Sequence, residues 1–216
     1  MQQDVLERII KGRRSIRRWE DREVADEMLL KAIELATWAP NGGNFQGWRF
    51  YVIKNREVIG AVADAVQRTV DTMASWPEAQ QIGANVEPWR QLAGFFRTAP
   101  VAIAVCCTRY HSLADRLVEA RGSSDPLAVK IQHGRAIANS RIQSIGAAIA
   151  LMLLALHEMG LGAVWMTGPA QAKEEIEELL KIPPEYDFVA LVPVGYPAEQ
   201  PTSSRRPVQE VVEFIR

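Results

Sequence analysis

Three guanidinium groups and a hydroxyl crowd into the run Arg13-Arg14-Ser15-Ile16-Arg17. Guanidinium forks match the oxygens of a phosphate and a hydroxyl adds one more bond, so this run could surround a group carrying about −2 charge. Read alone, it is an ordinary basic turn facing water. A second segment, Pro40-Asn41-Gly42-Gly43-Asn44-Phe45-Gln46-Gly47-Trp48-Arg49-Phe50, sets carboxamides and exposed backbone beside an apolar run. That surface suits the polar edge of a heteroaromatic ring, or simply joins a helix to a strand.

The remaining reactive residue types point away from other chemistries. His111, His133 and His157 stand far apart and match no metal-ligand spacing, so they read as surface or loop histidines and no metal is expected. Cys106 and Cys107 are adjacent in an apolar run, where neighbours point to opposite faces of a strand; they read as a reduced, packed pair. Gly160-Leu161-Gly162 does not extend to the G-x-G-x-x-G of a dinucleotide fold, and no Ser/His/Asp or Cys/His set can be assembled.

The elements that must carry these residues follow from periodicity. Val5, Leu6, Ile9 and Ile10 give a first helix closed by Gly12 as a glycine cap, directly before the arginine run. Asp26 serves as N-cap to a helix striped by Leu29, Leu30, Ile33 and Ala36 and stopped before Pro40. Residues 48–53 read as a strand, 56–74 as a helix, 135–159 as one long helix buried on several sides and ended by Gly160, 162–167 as a short strand, 170–180 as an acidic helix and 188–195 as a strand. Segments 75–99 and 109–134, with Pro77, Gly83, Pro88, Trp76, Trp89, Phe95 and Phe96 in the first, defeat periodicity and suit mobile excursions that contact substrate. Whether those aromatics stack on a ligand or pack stays open. Helices interrupt strands throughout and no segment repeats, which predicts one α+β domain over residues 1–216. The apolar breadth of the long helix predicts a symmetric dimer.

The two motifs, followed in order by Gly160-Leu-Gly-Ala-Val-Trp-Met-Thr-Gly168 and by Gly195-Tyr-Pro-Ala-Glu199 with Arg205-Arg206-Pro207, resemble the four landmarks of the nitroreductase family of FMN-dependent oxidoreductases, across essentially the whole chain. The resemblance implies the nitroreductase-like fold: a central, mostly antiparallel sheet flanked by helices, a long buried helix, and an intertwined homodimer with FMN at its interface. It implies that Arg13, Arg14 and Ser15 hold the FMN phosphate and ribityl chain, joined by Arg205 and Arg206. Arg17 would approach the pyrimidine side, where a guanidinium stabilises the negative charge of the reduced ring. Trp165, Met166, Thr167 and Gly168 would offer backbone N–H groups to N5 and O4, and Asn44 and Gln46 would bond ring or ribityl atoms. Pro40, Asn41 and Gly42 would reach the partner's flavin, and Gln143 or Ser144 the ribityl or phosphate region. Two positions depart from the family pattern: Asn41 stands for serine, and Gly47 for proline, which loosens the backbone.

The implied activity is a ping-pong transfer of hydride from NADH or NADPH to a small electron-poor substrate such as a nitroaromatic, quinone or enone. Relatives that cleave flavin or remove halogen, a non-catalytic FMN-binding or flavin-sensing protein, and a chain without flavin are the competing readings. Composition adds exclusions. Lys and Arg total 25 against 26 Asp and Glu, so no global basic field favours nucleic acid. The acidic N-terminus lacks the apolar core of a signal peptide, and the apolar stretch 145–156 falls short of the ~20 residues that span a bilayer. A soluble cytoplasmic protein without membrane partners is therefore expected.

Overall fold

The computed structural model describes residues 2–82, 85–108 and 111–216. Gly83, Ala84, Arg109 and Tyr110, which belong to the two lid segments, lie outside the described residues, as does Met1. The elements run α1 (Gln2–Gly12), α2 (Asp26–Ala36), β1 (Trp48–Ile53), α3 (Arg56–Ala74), α4 (Pro77–Gln81), α5 (Glu87–Gln91), β2 (Val101–Thr108), α6 (Leu113–Arg121), α7 (Pro126–Ala138), α8 (Ser140–Glu158), β3 (Gly162–Ala163), α9 (Lys173–Leu179) and β4 (Tyr186–Gly195), with 3₁₀ turns between several of them.

The four strands lie in the order β1-β2-β4-β3, and every pair is antiparallel. β2 is buried along nearly its whole length because both faces are covered, and its residues alternate between two apolar layers. Val101, Ile103, Val105 and Cys107 pack with α2 and α8; Ala102, Ala104 and Cys106 pack with α3, α9 and Phe96. The adjacent cysteines thus do point to opposite faces, both free and buried. Burial pushes the Cys106 thiol up to about 12 and the Cys107 thiol up to about 11.

The small residues Ala32 and Ala36 of α2 and Ala148 and Ala155 of α8 share one apolar cluster, which lets the two helices lie close over the sheet. α3 repeats Ile59, Val62, Ala63, Val66 and Val70 on its buried stripe, and Asn55 caps it by accepting from Glu57 N and Val58 N. These spans match the periodicity.

Several local expectations change. The long helix does not begin at Arg135: Asn139 takes a left-handed conformation (φ 37°) and separates α7 from α8, its side chain capping α8 at Ile142 N. Length and composition alone would let the Pro126–Glu158 stretch cross a membrane, yet it is broken here, and α8 buries Ile145, Ile149, Met152 and Leu156 in the core. Asp26 is the first residue of α2 rather than its cap; its carboxylate instead accepts from Lys54 Nζ at 2.7 Å. Gly12 ends α1 without a left-handed turn and is needed for another reason, set out below. The predicted strand over 162–167 holds only for its first two residues before the chain turns away, touching β4 again through Met166 and Leu191.

Both lid segments are helical rather than irregular. α6 starts on a capping box between Ser112 and Asp115, and Asp125 caps α7. In the first lid, Phe96 is fully buried and Phe95 stacks on Trp19, whereas Trp76 and Trp89 face outward. Two of the four aromatics are therefore packing residues.

Candidate cofactor site

Backbone contacts and the Trp19 indole, not the arginine side chains, hold the arginine turn against the sheet. Ser15 bridges Ala163, Ile16 N donates to Ala163 O (3.1 Å), and Trp19 Nε1 donates to Gly162 O (2.9 Å). Gly162 permits this approach, since a Cβ there would lie 2.7–2.9 Å from three atoms of Ile16. From the far end of the chain, Glu199 Oε1 accepts from the backbone N–H of Arg17 (2.5 Å) and of Arg18 (3.2 Å). One carboxylate thereby fixes the turn through its backbone, leaving Arg13 and Arg14 partly buried and Arg17 exposed.

Those guanidinium groups are unneutralised. Among the described residues, the side chains of Arg13, Arg17 and Arg206 have no hydrogen bond or ion pair, Arg14 bonds only to the carbonyls of Lys11 and Arg13, and Arg205 only to Ser203 and Ser204. Burial, together with the nearby charges of Arg205 and Arg14, pushes the Arg13 guanidinium below the usual arginine range. The fold therefore does join the arginine turn to Arg205. Like charges gathered without ion-pair partners destabilise a free chain, and a bound anion relieves them. Beside them opens a cavity of about 460 Å³ lined by Arg13, Arg14, Leu153, His157, Ala163 and Glu199, among others.

The carboxamide loop lies elsewhere. Asn41, Gly42, Phe45 and Gln46 line a small cavity of about 30 Å³ with Cys107, Ser140, Arg141 and Ser144. Both cavities open on α8, and Ser144 and Leu153 are about 14 Å apart along its axis at ~1.5 Å per residue. Within one chain, Pro40, Asn41, Gly42, Asn44, Gln46 and Ser144 are thus not brought to Arg13.

The loop is internally braced. Asn41 Oδ1 accepts from Gln46 N (2.9 Å), Asn41 Nδ2 donates to Ala39 O (3.2 Å), and Gln46 Nε2 donates to Asn44 Oδ1 (3.2 Å). Gly43, Asn44 and Gln46 all have positive φ, a conformation that stores strain in the last two. The Phe45 ring lies over Gly47, and a Cβ there would approach that ring to 2.7 Å, so a larger residue requires the partly exposed ring to shift.

Along Trp165–Gly168, Met166 N–H is already bonded to Leu191 O (2.9 Å), so it is not available to a ring as expected. The N–H groups of Trp165, Thr167 and Gly168 have no partner among the described residues. Trp165 lies over α8 at Gly146, whose added Cβ would meet the indole at 3.2 Å. Gln143 donates its side chain to Ala138 O and Ser144 to Ser140 O, so both serve the start of α8.

Two residues of the arginine site were given no role from sequence. Glu199 acts on backbone far away along the chain, which no local pattern signals. His157 lines the arginine cavity instead of the surface. Among the described residues no group of three or more His, Cys, Asp or Glu is placed to hold a metal ion.

Comparison with known proteins identifies the family. A Methanothermobacter thermautotrophicus protein named "Putative NADH dehydrogenase/NAD(P)H nitroreductase" is 33% identical over 201 residues, covering 92% of this chain and 80% of its own. The crystal structure of a BluB-like flavoprotein from Clostridium difficile 630 superposes with TM-score 0.83 at 29% identity, over 98% of this chain and 99% of that one. A Desulfovibrio desulfuricans nitroreductase-type structure, solved in complex with FMN, matches with TM-score 0.67 at 26% identity, over 98% and 96% of the two chains. The profile of the "Nitroreductase family" matches residues 10–196. With its antiparallel sheet, its core helix and its arginine turn at the sheet edge, the chain belongs to the Nitroreductase family.

Proposed function

We propose that residues 1–216 form one FMN-binding domain of a soluble, cytoplasmic homodimer that oxidises NADH or NADPH and reduces a small electron-poor compound such as a nitroaromatic, quinone or enone. The observation that carries this reading is the cluster of Arg13, Arg14 and Arg205, none of them ion-paired among the described residues, beside a cavity at the edge of β3. Its charge and its guanidinium forks fit a phosphomonoester, and the FMN complex of a relative supplies the class of ligand. Bound FMN would supply hydride acceptance and donation at N5 in the two halves of a ping-pong cycle.

This chain's residues supply binding and electrostatics. Arg13, Arg14, Ser15, Arg205 and Arg206 hold the phosphate end. Arg17, placed by the bond from its backbone to Glu199, brings positive charge to the pyrimidine edge and favours the reduced anion. The open N–H groups of Trp165, Thr167 and Gly168 orient the ring from the sheet edge. Pro40, Asn41 and Gly42, which the fold keeps away from their own arginines, serve the partner subunit. Exposed apolar side chains favour that dimer: Leu6 of α1, Leu127 and Ile137 of α7, and Phe214 and Ile215 at the C-terminus are each more than half exposed in the single chain.

Anaerobic stopped-flow tests the proposal. Loss of the flavin visible band on mixing with NADH or NADPH, followed by its return on adding a quinone or nitroaromatic, is the expected result. A yellow protein whose band neither nucleotide removes contradicts it.

A further inference from the structure

The arginines of the proposed phosphate pocket are accounted for; the imidazole among them is not. His157 rises from the last turn of α8 into the same cavity as Arg13 and Arg14. Gly12 makes room for it: a Cβ at that position would stand 3.0 Å from His157 Nε2. No hydrogen bond or ion pair holds the ring among the described residues. The charged groups around it are Arg8 from α1, Arg13 and Arg14 from the turn, Glu158 on its own helix, and Glu199 and Arg205 at the cavity's other wall and the chain's far end. Burial, then Arg13, pushes the imidazole below its usual value, with Glu158 acting in the opposite sense.

We propose that His157 is a further element of the phosphomonoester pocket and takes up a proton when FMN binds, making cofactor retention dependent on pH. The inference rests on FMN being the ligand of this cavity. In the free protein a cation at His157 would add to the guanidinium groups of Arg8, Arg13 and Arg14, which together with burial outweigh the opposing Glu158, so the neutral ring is favoured. A phosphate dianion reverses the sign of the local field and favours the imidazolium, which then donates to a phosphate oxygen. His157 therefore titrates below its ordinary value when the cavity is empty, and at a higher value when a phosphate is bound. Between these two values binding consumes one proton, and affinity weakens as pH rises through the bound-state value. The phosphate's own second ionisation, near pH ~6, works in the opposite direction. Comparing wild type with His157→Gln removes that contribution.

The imidazole proton resonance of His157, assigned by its loss in His157→Gln, is followed against pH with no ligand, with FMN and with riboflavin. FMN should raise the midpoint by at least about one unit, equivalent to tenfold in affinity, and riboflavin should leave it unchanged. Calorimetry in buffers of different ionisation enthalpy should show proton uptake on FMN binding to wild type that His157→Gln loses. FMN binding with an unchanged His157 midpoint, or proton uptake retained in the variant, overturns the proposal. Failure of FMN to bind wild type would overturn the cofactor reading instead. Sulfate, which does not titrate in this range, then decides the pocket: a raised midpoint sustains it and an unmoved one removes it.

Discussion

Gly162→Ala tests whether the sheet edge sets the arginine turn. Gly162 is buried, pairs with Gly195 across β3 and β4, and accepts from Trp19 Nε1 through its carbonyl. Its missing side chain is where Ile16 sits: the added methyl would come within 2.7 Å of Cγ1 and 2.9 Å of Cβ and Cγ2. Ile16 is itself only 7% exposed, so it cannot swing into water, and the strain must move either β3 or the turn. Overpacking of this kind costs about 1–3 kcal/mol. For a chain of this length that corresponds to a fall in Tm of about 2–12 °C. Displacing the turn also costs the phosphate at least one charge-assisted bond, worth ~1.5–3 kcal/mol, or a roughly 10- to 150-fold weaker FMN affinity. Differential scanning calorimetry and fluorescence titration with FMN measure the two effects. Gly60→Ala is the control, because a Cβ there meets nothing within 4 Å and helix α3 should gain about 0.5–1 kcal/mol. If Gly162→Ala melts and binds FMN like wild type, the claim that close packing at β3 positions the arginines is refuted.

Three further outcomes are expected. Arg17→Gln should retain FMN, since its side chain is not part of the phosphate cluster, but should lower the flavin potential and slow reduction by NAD(P)H at least tenfold; potentiometry and stopped-flow decide, and an unmoved potential counts against the role given to Arg17. Asn139→Ala should cost about 1–2 kcal/mol in chemical denaturation by losing the cap of α8 at a left-handed residue, whereas Asn139→Gly should cost only a few tenths. With Cys106 and Cys107 pushed up to about 12 and about 11, their thiolate fractions at pH 8 are of order 10⁻⁴ and 10⁻³. An aromatic disulfide reagent should therefore label neither in native protein and both after denaturation, and rapid native labelling would show that β2 is not sealed.

Elements whose pattern runs for several periods between clear punctuation were legible from sequence. β1 and α3 are read to the residue because Gly47, Asn55 and Ser75 bound strongly patterned runs. α8 was misjudged at its start because Ala136 and Ile137 continue an apolar run into Asn139, and only the left-handed backbone there shows that two helices meet. α4 and α5, of five residues each, are shorter than two helical turns and carry no readable period. The candidate site divides in the same way. Arg13–Arg17 and Arg205 announce themselves by residue type and order along the chain. Glu199 could not, because its partners are backbone N–H groups of Arg17 and Arg18, and a bond from a backbone donor leaves no mark on the identity of the residue that donates it. Nor does order along the chain reveal that the Asn41–Gln46 loop and the arginines open onto different stretches of α8.

The central claim is that unpaired arginines at the sheet edge clamp the phosphate of FMN, and the most direct test compares FMN with riboflavin on the cofactor-free protein. The phosphate's two or more charge-assisted bonds should make FMN bind at least ~100-fold more tightly, and Arg13→Ala should erase most of that difference. Equal affinity for the two flavins, or a preference for FMN that survives the loss of Arg13, would contradict the account.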